Sequence, residues 1–537
     1  MATGPASPAS PVKHAGMITV SIMLATIMQV LDTTIANVAL PNMQGSLSAT
    51  QEQVAWVITS YIVSAAIATP LAGFCAVRFG VRRILVSSVI GFTIASMLCG
   101  AAQTLPQLVM FRIMQGVCGA SLVPLSQSLM MEAYTREEQG KAMAMWGVGT
   151  MLGPITGPTL GGWLTDEYSW RWVFYINLPV GILCTIGLMI LIKNKASDNP
   201  RPFDLLGFTL LSIAIGTFQL MLDRGETVDW FGSREIIVEA VVAGVAAGMF
   251  VLHMLSDDHP FLPRDLFKDR NLMLGIVFTA VTGLLMIVTA TLLPPFLQQL
   301  KGYPVFTTGI VMAPRGIGTM ISMFCVARII GRVDARWLIA IGLTLCGLSL
   351  YDMTLFTLDV DEGRIIWNGF LQGVGLGLIF PPLTTLAFAT VPARIRTEAA
   401  AMNALMRNLG ASIGVAALVA LLDRSVQVNR SQMAESLTVF SPYWRLATTP
   451  IDRGGIPVDR SRLIDYWTPM MGGFPYGSVP TDDPNKVIGM WAEELTRQAA
   501  AIAYLNDFRV LAVSAIVCIP LLFFMRSQAM LVRPRRR

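Results

Sequence analysis

Apolar residues run along this chain in long blocks, not in the short alternations of a soluble fold. A helix needs about 20 mostly apolar residues to cross a bilayer core. Such blocks fall at 17–39, 52–74, 83–102, 106–131, 141–164, 172–192, 204–222, 235–255, 272–297, 305–330, 337–357, 365–390, 398–422 and 508–526. The pattern predicts fourteen transmembrane helices in an all-α integral membrane protein. Residues 1–16, rich in Pro, Ala and Ser, are expected to be a disordered tail without a signal-peptide pattern. Residues 423–507 break the rhythm as a long polar loop between the last two spans. Its first part is turn-rich (SPYW, GGIP, FPYGSVP), whereas KVIGMWAEELTRQAAAIAYLND at 486–507 has helical spacing. A loop of this length fits either a partner-docking element or a mobile cap.

Basic residues fix the expected orientation, because loops on the cytoplasmic side carry an excess of Lys and Arg. One set of loops holds Arg78, Arg82, Arg83, Arg136, Lys141, Lys193, Lys195, Arg201, Arg264, Lys268, Arg270, Arg328, Arg332, Arg336, Arg394 and Arg396, and the chain ends RPRRR. The alternate short loops hold only Arg171, Arg224, Arg234, Lys301 and Arg364. Both termini are therefore expected in the cytoplasm, with 423–507 outside and 527–537 a basic cytoplasmic tail. The same asymmetry accounts for the net charge of +5 without nucleic acid.

Composition agrees. The chain is 54% hydrophobic and only 14% charged, with mean hydropathy +0.60, against about a quarter charged in soluble domains. The seven cysteines lie in apolar runs without CxxC spacing and there are three histidines. Neither a disulfide framework nor a metal cage is expected. No HExxH, GxSxG or phosphate-cradling GxxxxGKS occurs. That argues against an enzyme or an ATP-driven pump and for no cofactor.

Charge inside the apolar blocks is the candidate chemistry. Asp32 lies in the first span, where a carboxylate at mid-membrane costs about 2.5–3.5 kcal/mol on insertion scales. Gln29, Asp32, Thr33 and Ala36 share a helical face, so Gln29 and Thr33 are candidate pocket residues. Asp32 could also sit near the outer end and reach water. Arg112, early in the fourth span with Gln115, Gly116 and Gly119 on its face, is the natural counter-charge. It could also anchor at the interface, and the sequence does not say whether the two touch. In the fifth span Gly149, Gly153, Gly157 and Gly161 recur every fourth residue, with Pro154 and Pro158 between them. That face admits a neighbouring backbone closely, either as static packing or as a bent seam between two moving halves. GFCAVRFGVRRIL at 73–85, with Gly73, Arg78, Gly80, Arg82 and Arg83, joins spans two and three. It serves topology alone or latches onto helix ends whose carbonyls attract cations. Asp223, Arg224, Arg315, Asp352 and Arg407 are expected in interface or structural roles.

Together these stretches resemble the major facilitator superfamily, in its fourteen-helix drug:proton antiporter branch of the EmrB type. LDTTIANVALP (31–41) resembles that branch's first-helix signature and RIMQG (112–116), with Gln115 and Gly116, its fourth-helix motif. GPITGPTLGG (153–162), with Gly161 and Gly162, resembles the antiporter motif, and MLDRGETVDWF (221–231) is also EmrB-like. One departure is Val77, where the family's loop between helices 2 and 3 usually carries an Asp. The resemblance implies a six-helix bundle at 17–192, two linker helices at 204–255 and a second six-helix bundle at 272–526. It implies an inner-membrane multidrug exporter with alternating access, driven by protons exchanged at Asp32 under the influence of Arg112, and carrying amphipathic or hydrophobic small molecules. It also implies a gating role for Gly73, Arg78, Gly80, Arg82 and Arg83, a periplasmic adaptor of EmrA type and an outer-membrane channel. A proton-coupled importer on the same fold is the rival reading, and a membrane enzyme or receptor a more distant one.

Overall fold

In the computed structural model the described residues are 15–135, 138–192, 202–330, 332–392, 395–436 and 484–526. Both tails, most of the long polar loop (437–483) and Arg136, Lys193, Lys195, Arg201 and Arg394 lie outside them. The helices are α1 Ala15–Ser46, α2 Gln51–Phe79, α3 Val81–Ala101, α4 Leu105–Gly119, α5 Leu122–Ala133, α6 Gln139–Glu167, α7 Trp172–Tyr175, α8 Asn177–Leu191, α9 Leu205–Arg224, α10 Arg234–Ser256, α11 Asp265–Lys268, α12 Arg270–Pro295, α13 Val305–Ile329, α14 Ala335–Met353, α15 Glu362–Phe388, α16 Arg396–Ser436 and α17 Pro484–Val517. Among the described residues thirteen helical segments are long and apolar enough to cross a membrane. The 29-residue α6 is one more of spanning length.

Helix starts follow local chemistry. Thr50 and Gln53 form a reciprocal capping box on α2, and Asp204, Ser233, Asp269, Asp334 and Asp361 each accept a hydrogen bond from the first turn of the next helix.

Three expected boundaries change. The fourth span is two helices, broken at Ala120 and Ser121 between α4 and α5. The freed N–H of Val123 donates to Gln29 Oε1 at 3.2 Å. The expected connection at 73–85 shrinks to Gly80 alone, at φ 95°. This is a left-handed backbone that glycine adopts without steric cost. Gly73 and Arg78 are thus helical. The long loop also starts later and ends earlier than expected, because α16 runs on to Ser436 and α17 begins at Pro484. The helical spacing at 486–507 is thus part of α17, whereas the extension of α16 past 422 is polar helix, because hydropathy marks where a helix leaves lipid and not where it ends.

Helices α1–α8 pack as one half and α12–α17 as the other, while α9 and α10 pair with each other and lean on α2. The linker pair is tied by a Thr59 hydroxyl donating to Asp223 and by Gln219 donating to Ser412 Oγ at 2.8 Å. At the basic end the halves are joined. Trp146 stacks on Phe380 with centroids 5.8 Å apart, and the Ser128 and Thr397 hydroxyls lie 3.2 Å apart. Gly73 lies against Ala401 and the backbone of Glu398, Gly140 against Ile330 and Gly147 against Met323. At the other end the apolar clusters belong to one half each: Ile35, Met43, Val54, Trp170 and Phe174 in the first, Leu300, Val360 and Tyr504 in the second.

The glycine face of α6 packs on α1 within the first half. Gly149 faces Met23, Gly153 faces Val30 and Leu31, Gly157 faces Thr34, and Gly161 faces Ile35. Thr34 also donates to the Gly153 carbonyl at 3.2 Å. Of the two readings of this face, these contacts are packing within one half and not a seam between the halves. Gly140 and Gly147, further back in α6, make that contact instead. Gly162 faces open space, and α6 is helical throughout, including at Pro154 and Pro158.

A Cβ at Gly153 would stand 2.7 Å from Val30 Cγ1 and 2.9 Å from the Leu31 nitrogen. Gly153→Ala is expected to cost about 1–3 kcal/mol through overpacking, whereas Gly162→Ala costs nothing measurable. Thermal unfolding of the two variants in nanodiscs checks this, and equal melting temperatures would refute the close contact.

Candidate functional site

Asp32 lies wholly inside the first half, 0% exposed, with Arg112 1% exposed beside it. Arg112 Nη1 donates to Asp32 Oδ2 at 2.7 Å. Gln115 Nε2 donates to Asp32 Oδ1 at 2.8 Å, and Asn177 Nδ2 to the same oxygen at 3.0 Å. Three helices therefore converge on one carboxylate: α4 with two donors, α8 with one, and α1 carrying the acid. The spacing of Arg112 and Gln115, three apart on α4, puts both on one face.

The cation has further partners of its own. Arg112 Nη1 also donates to Gln115 Oε1 at 2.8 Å and Nε to the Val57 carbonyl at 3.0 Å. The Tyr61 ring lies 4.3 Å from Cζ, an arrangement that favours a guanidinium over an ammonium. A second layer holds Asn177. It donates to Ser96 Oγ at 2.9 Å, and Ser96 donates to the Phe174 carbonyl at 2.8 Å. Removing one partner of such a buried pair leaves an uncompensated charge and costs about 3–5 kcal/mol. A carboxylate held this way can change protonation only if the cage opens or a proton reaches it through the bundle.

The remaining sequence candidates are dispersed. Gln29 is half-buried and occupied by the Val123 N–H, and Thr33 bonds back to the Val30 carbonyl at 2.8 Å. Asp32, Gln29 and Thr33 thus do not form one continuous polar wall. Gly116 packs on Tyr61 and Ser64 of α2. In the basic turn, Arg82 donates to the Met189 carbonyl in the last turn of α8, the helix-end contact that the turn's cations favour. Asp352 pairs with Arg364 at 2.6 Å and Arg224 with Glu235, both at helix ends.

Asn177, Ser96 and Tyr61 were missed by sequence reasoning. The available signal was a lone Asn opening the strongly apolar run NLPVGILCTIGLMIL. Among the described residues Asp204, His253 and Asp257 stand close enough for a metal. However, Asp204 already accepts from Gly207, Phe261 and His253. Burial alone would raise its carboxyl, but these hydrogen bonds outweigh it and hold Asp204 below the usual carboxylate range. The group is a helix cap that also accepts a histidine hydrogen bond.

The sequence model of the Major Facilitator Superfamily matches residues 22–415. The chain is 36% identical over 471 residues to the fatty acid resistance protein FarB of Neisseria gonorrhoeae, covering 87% of this chain and 93% of FarB. It is 36% identical over 428 residues to the multidrug export protein EmrB of Escherichia coli, covering 79% of this chain and 84% of EmrB. Among solved structures, a double-Trp mutant of XylE superposes with TM-score 0.59 at 13% identity, covering 96% of this chain and 97% of that one. This last likeness concerns the fold. With helices in two packed halves, a buried Asp–Arg pair in the first and relatives of this extent, the chain belongs to the major facilitator superfamily and stands among its EmrB-type drug transporters.

Proposed function

We propose that this protein is a proton-coupled exporter of amphipathic or hydrophobic compounds, working by drug:proton antiport with alternating access. The family and the names of its relatives support multidrug efflux by a secondary transporter. The observation that carries the coupling is the Asp32–Arg112 pair, a switchable charge held at mid-span and buried from solvent. Neutral, Asp32 releases Arg112 and loosens the contact of α1 with α4 and α8. Ionised, it draws the three together. Protonation is thereby linked to the packing of helices that also form the wall of the first half. A proton falling through roughly 180 mV yields about 4 kcal/mol, at about 2.3 kcal/mol per 100 mV. At about 1.4 kcal/mol per decade, that sustains about a thousandfold substrate gradient.

The basic end is then the cytoplasmic end of an inner-membrane protein with both termini inside, and the structure corresponds to a state closed to the cytoplasm. Gly73, joined to Glu398 and Ala401, belongs to that closure. Arg78, Gly80, Arg82 and Arg83 form its basic rim. The long segment between α16 and α17 then faces the periplasm, where an adaptor leading to an outer-membrane channel would dock.

Two outcomes test this reading. In inverted vesicles, Asp32→Asn is expected to reduce uncoupler-sensitive uptake of a drug probe to background. In lightly buffered detergent solution, the folded variant binds the probe without releasing protons. Normal proton release by the variant would place coupling elsewhere. Asn177→Ala is expected to lower stability by about 1–3 kcal/mol and to weaken export without abolishing probe binding. Calorimetry and vesicle uptake report the two effects separately, and an unchanged melting temperature with unchanged uptake would remove Asn177 from the site.

A further inference from the structure

A second carboxylate is as deeply buried as Asp32 and is treated in the opposite way. Asp507 on α17 is 0% exposed. Neither of its oxygens has a hydrogen-bond partner among the described residues. Asp32 accepts from Arg112, Gln115 and Asn177, whereas no donor of that kind reaches Asp507.

Nor do its surroundings offer a cation. Tyr504 stands one turn back on the same helix, and Asp423 faces Asp507 from α16. The other helices packed on α17 are α14 and α12, with the π-helical turn Phe296–Leu300 that follows α12. Among the described residues no charged group of theirs acts on Asp507. The turn of α17 that carries it is set in apolar side chains. The Phe296 ring meets Tyr504 with centroids 5.6 Å apart and Phe508 at 6.4 Å, and Phe508 and Leu511 are wholly buried.

Asp423 is exposed and meets a third acid. Glu226, in the connection between α9 and α10, lies beside it. Partial burial and then the proximity of Asp423 push the Glu226 carboxyl up to about 7. The three acids step from solvent into the second half, with Glu226 and Asp423 at the surface and Asp507 behind them. They stand far from the basic turns, since Asp423 is about 40 Å along α16 from its start at Arg396. Asn429 Nδ2 donates to the Ala499 carbonyl at 3.3 Å and ties α16 to α17 beyond this point.

A carboxyl group taken out of water without a donor or a cation holds a proton instead of a charge, and a like charge beside it acts in the same direction. We propose that Asp507 is protonated in this conformation and, with Asp423 as its link to solvent, forms a proton-binding site of the second half, separate from Asp32. The proton passes between an Asp507 oxygen and water by way of the Asp423 carboxylate, and no other bond changes. Asp507 ionises when α16 and α17 part far enough to hydrate it, so the packing of these two helices is tied to its protonation. The site goes beyond the export reading and stands independently of it.

The test uses the full chain with isotope-labelled aspartate in phosphatidylcholine nanodiscs, and infrared spectroscopy reads the carboxylic-acid C=O band. At neutral pH the wild type is expected to show a protonated aspartate that persists in Asp32→Asn and is missing from Asp507→Asn. Unfolding in dodecyl sulfate at neutral pH is expected to release about one more proton per chain from the wild type than from Asp507→Asn, because the exposed acid ionises. Asp423→Asn is expected to move the loss of the band to lower pH by about one unit, since a like charge is gone. If Asp507→Asn fails to fold, the wild-type band and its shift in Asp423→Asn decide. A wild type without the band overturns the proposal, as does a band that survives in Asp507→Asn or vanishes in Asp32→Asn. Loss of the band when sodium or potassium chloride replaces choline chloride makes this a metal-cation site and overturns it equally. None of these readings needs a substrate or a proton gradient, so failure of the export reading leaves them untouched.

Discussion

The rest of this molecule is arranged around a charge that cannot be left alone. A carboxylate and a guanidinium at 0% and 1% exposure are tolerable only if every strong donor and acceptor between them is met. Meeting that condition draws four helices and the Val57 carbonyl of a fifth to one point. Asp32 comes from α1, Arg112 and Gln115 from α4, and Asn177 from α8, which Ser96 of α3 steadies. None of these helices can shift far without breaking a bond in low dielectric, where breaking one is most costly.

The glycine face of α6 serves the same point from behind. By standing against Val30 and Leu31, Gly153 sets the position of the residue next to Asp32. The spacing of α1 from α6 and the geometry of the acid are therefore one variable. Bulk added to α6 is felt at the carboxylate, and movement of the carboxylate's partners is felt along α6. The same helix carries Gly140 and Gly147 to the other half, so a single rigid element connects the buried pair to the closure at the basic end.

The two halves treat charge differently. The first buries a complete ion pair within its own helices. The second holds two half-buried arginines, Arg315 and Arg407, with few bonds of their own.

Much of this was legible along the chain. Spanning length and apolarity dictated the helices, because a bilayer admits backbone only in such runs. Asp32 and Arg112 stood out since a charge within a span is rare. The tertiary structure decided what distance along the sequence does not encode. It brought together Asp32 and Arg112, 80 residues apart, and recruited Asn177, whose lone polar side chain gave no hint of its partner. It turned Gln29 to a backbone N–H freed by the break between α4 and α5, a break no hydropathy average marks. The glycine period announced a close approach but not to which helix, and that was settled by α1. Periodicity and composition record what each helix face is made of. Which face meets which is fixed only when all the helices pack at once and every buried polar group must find its partner.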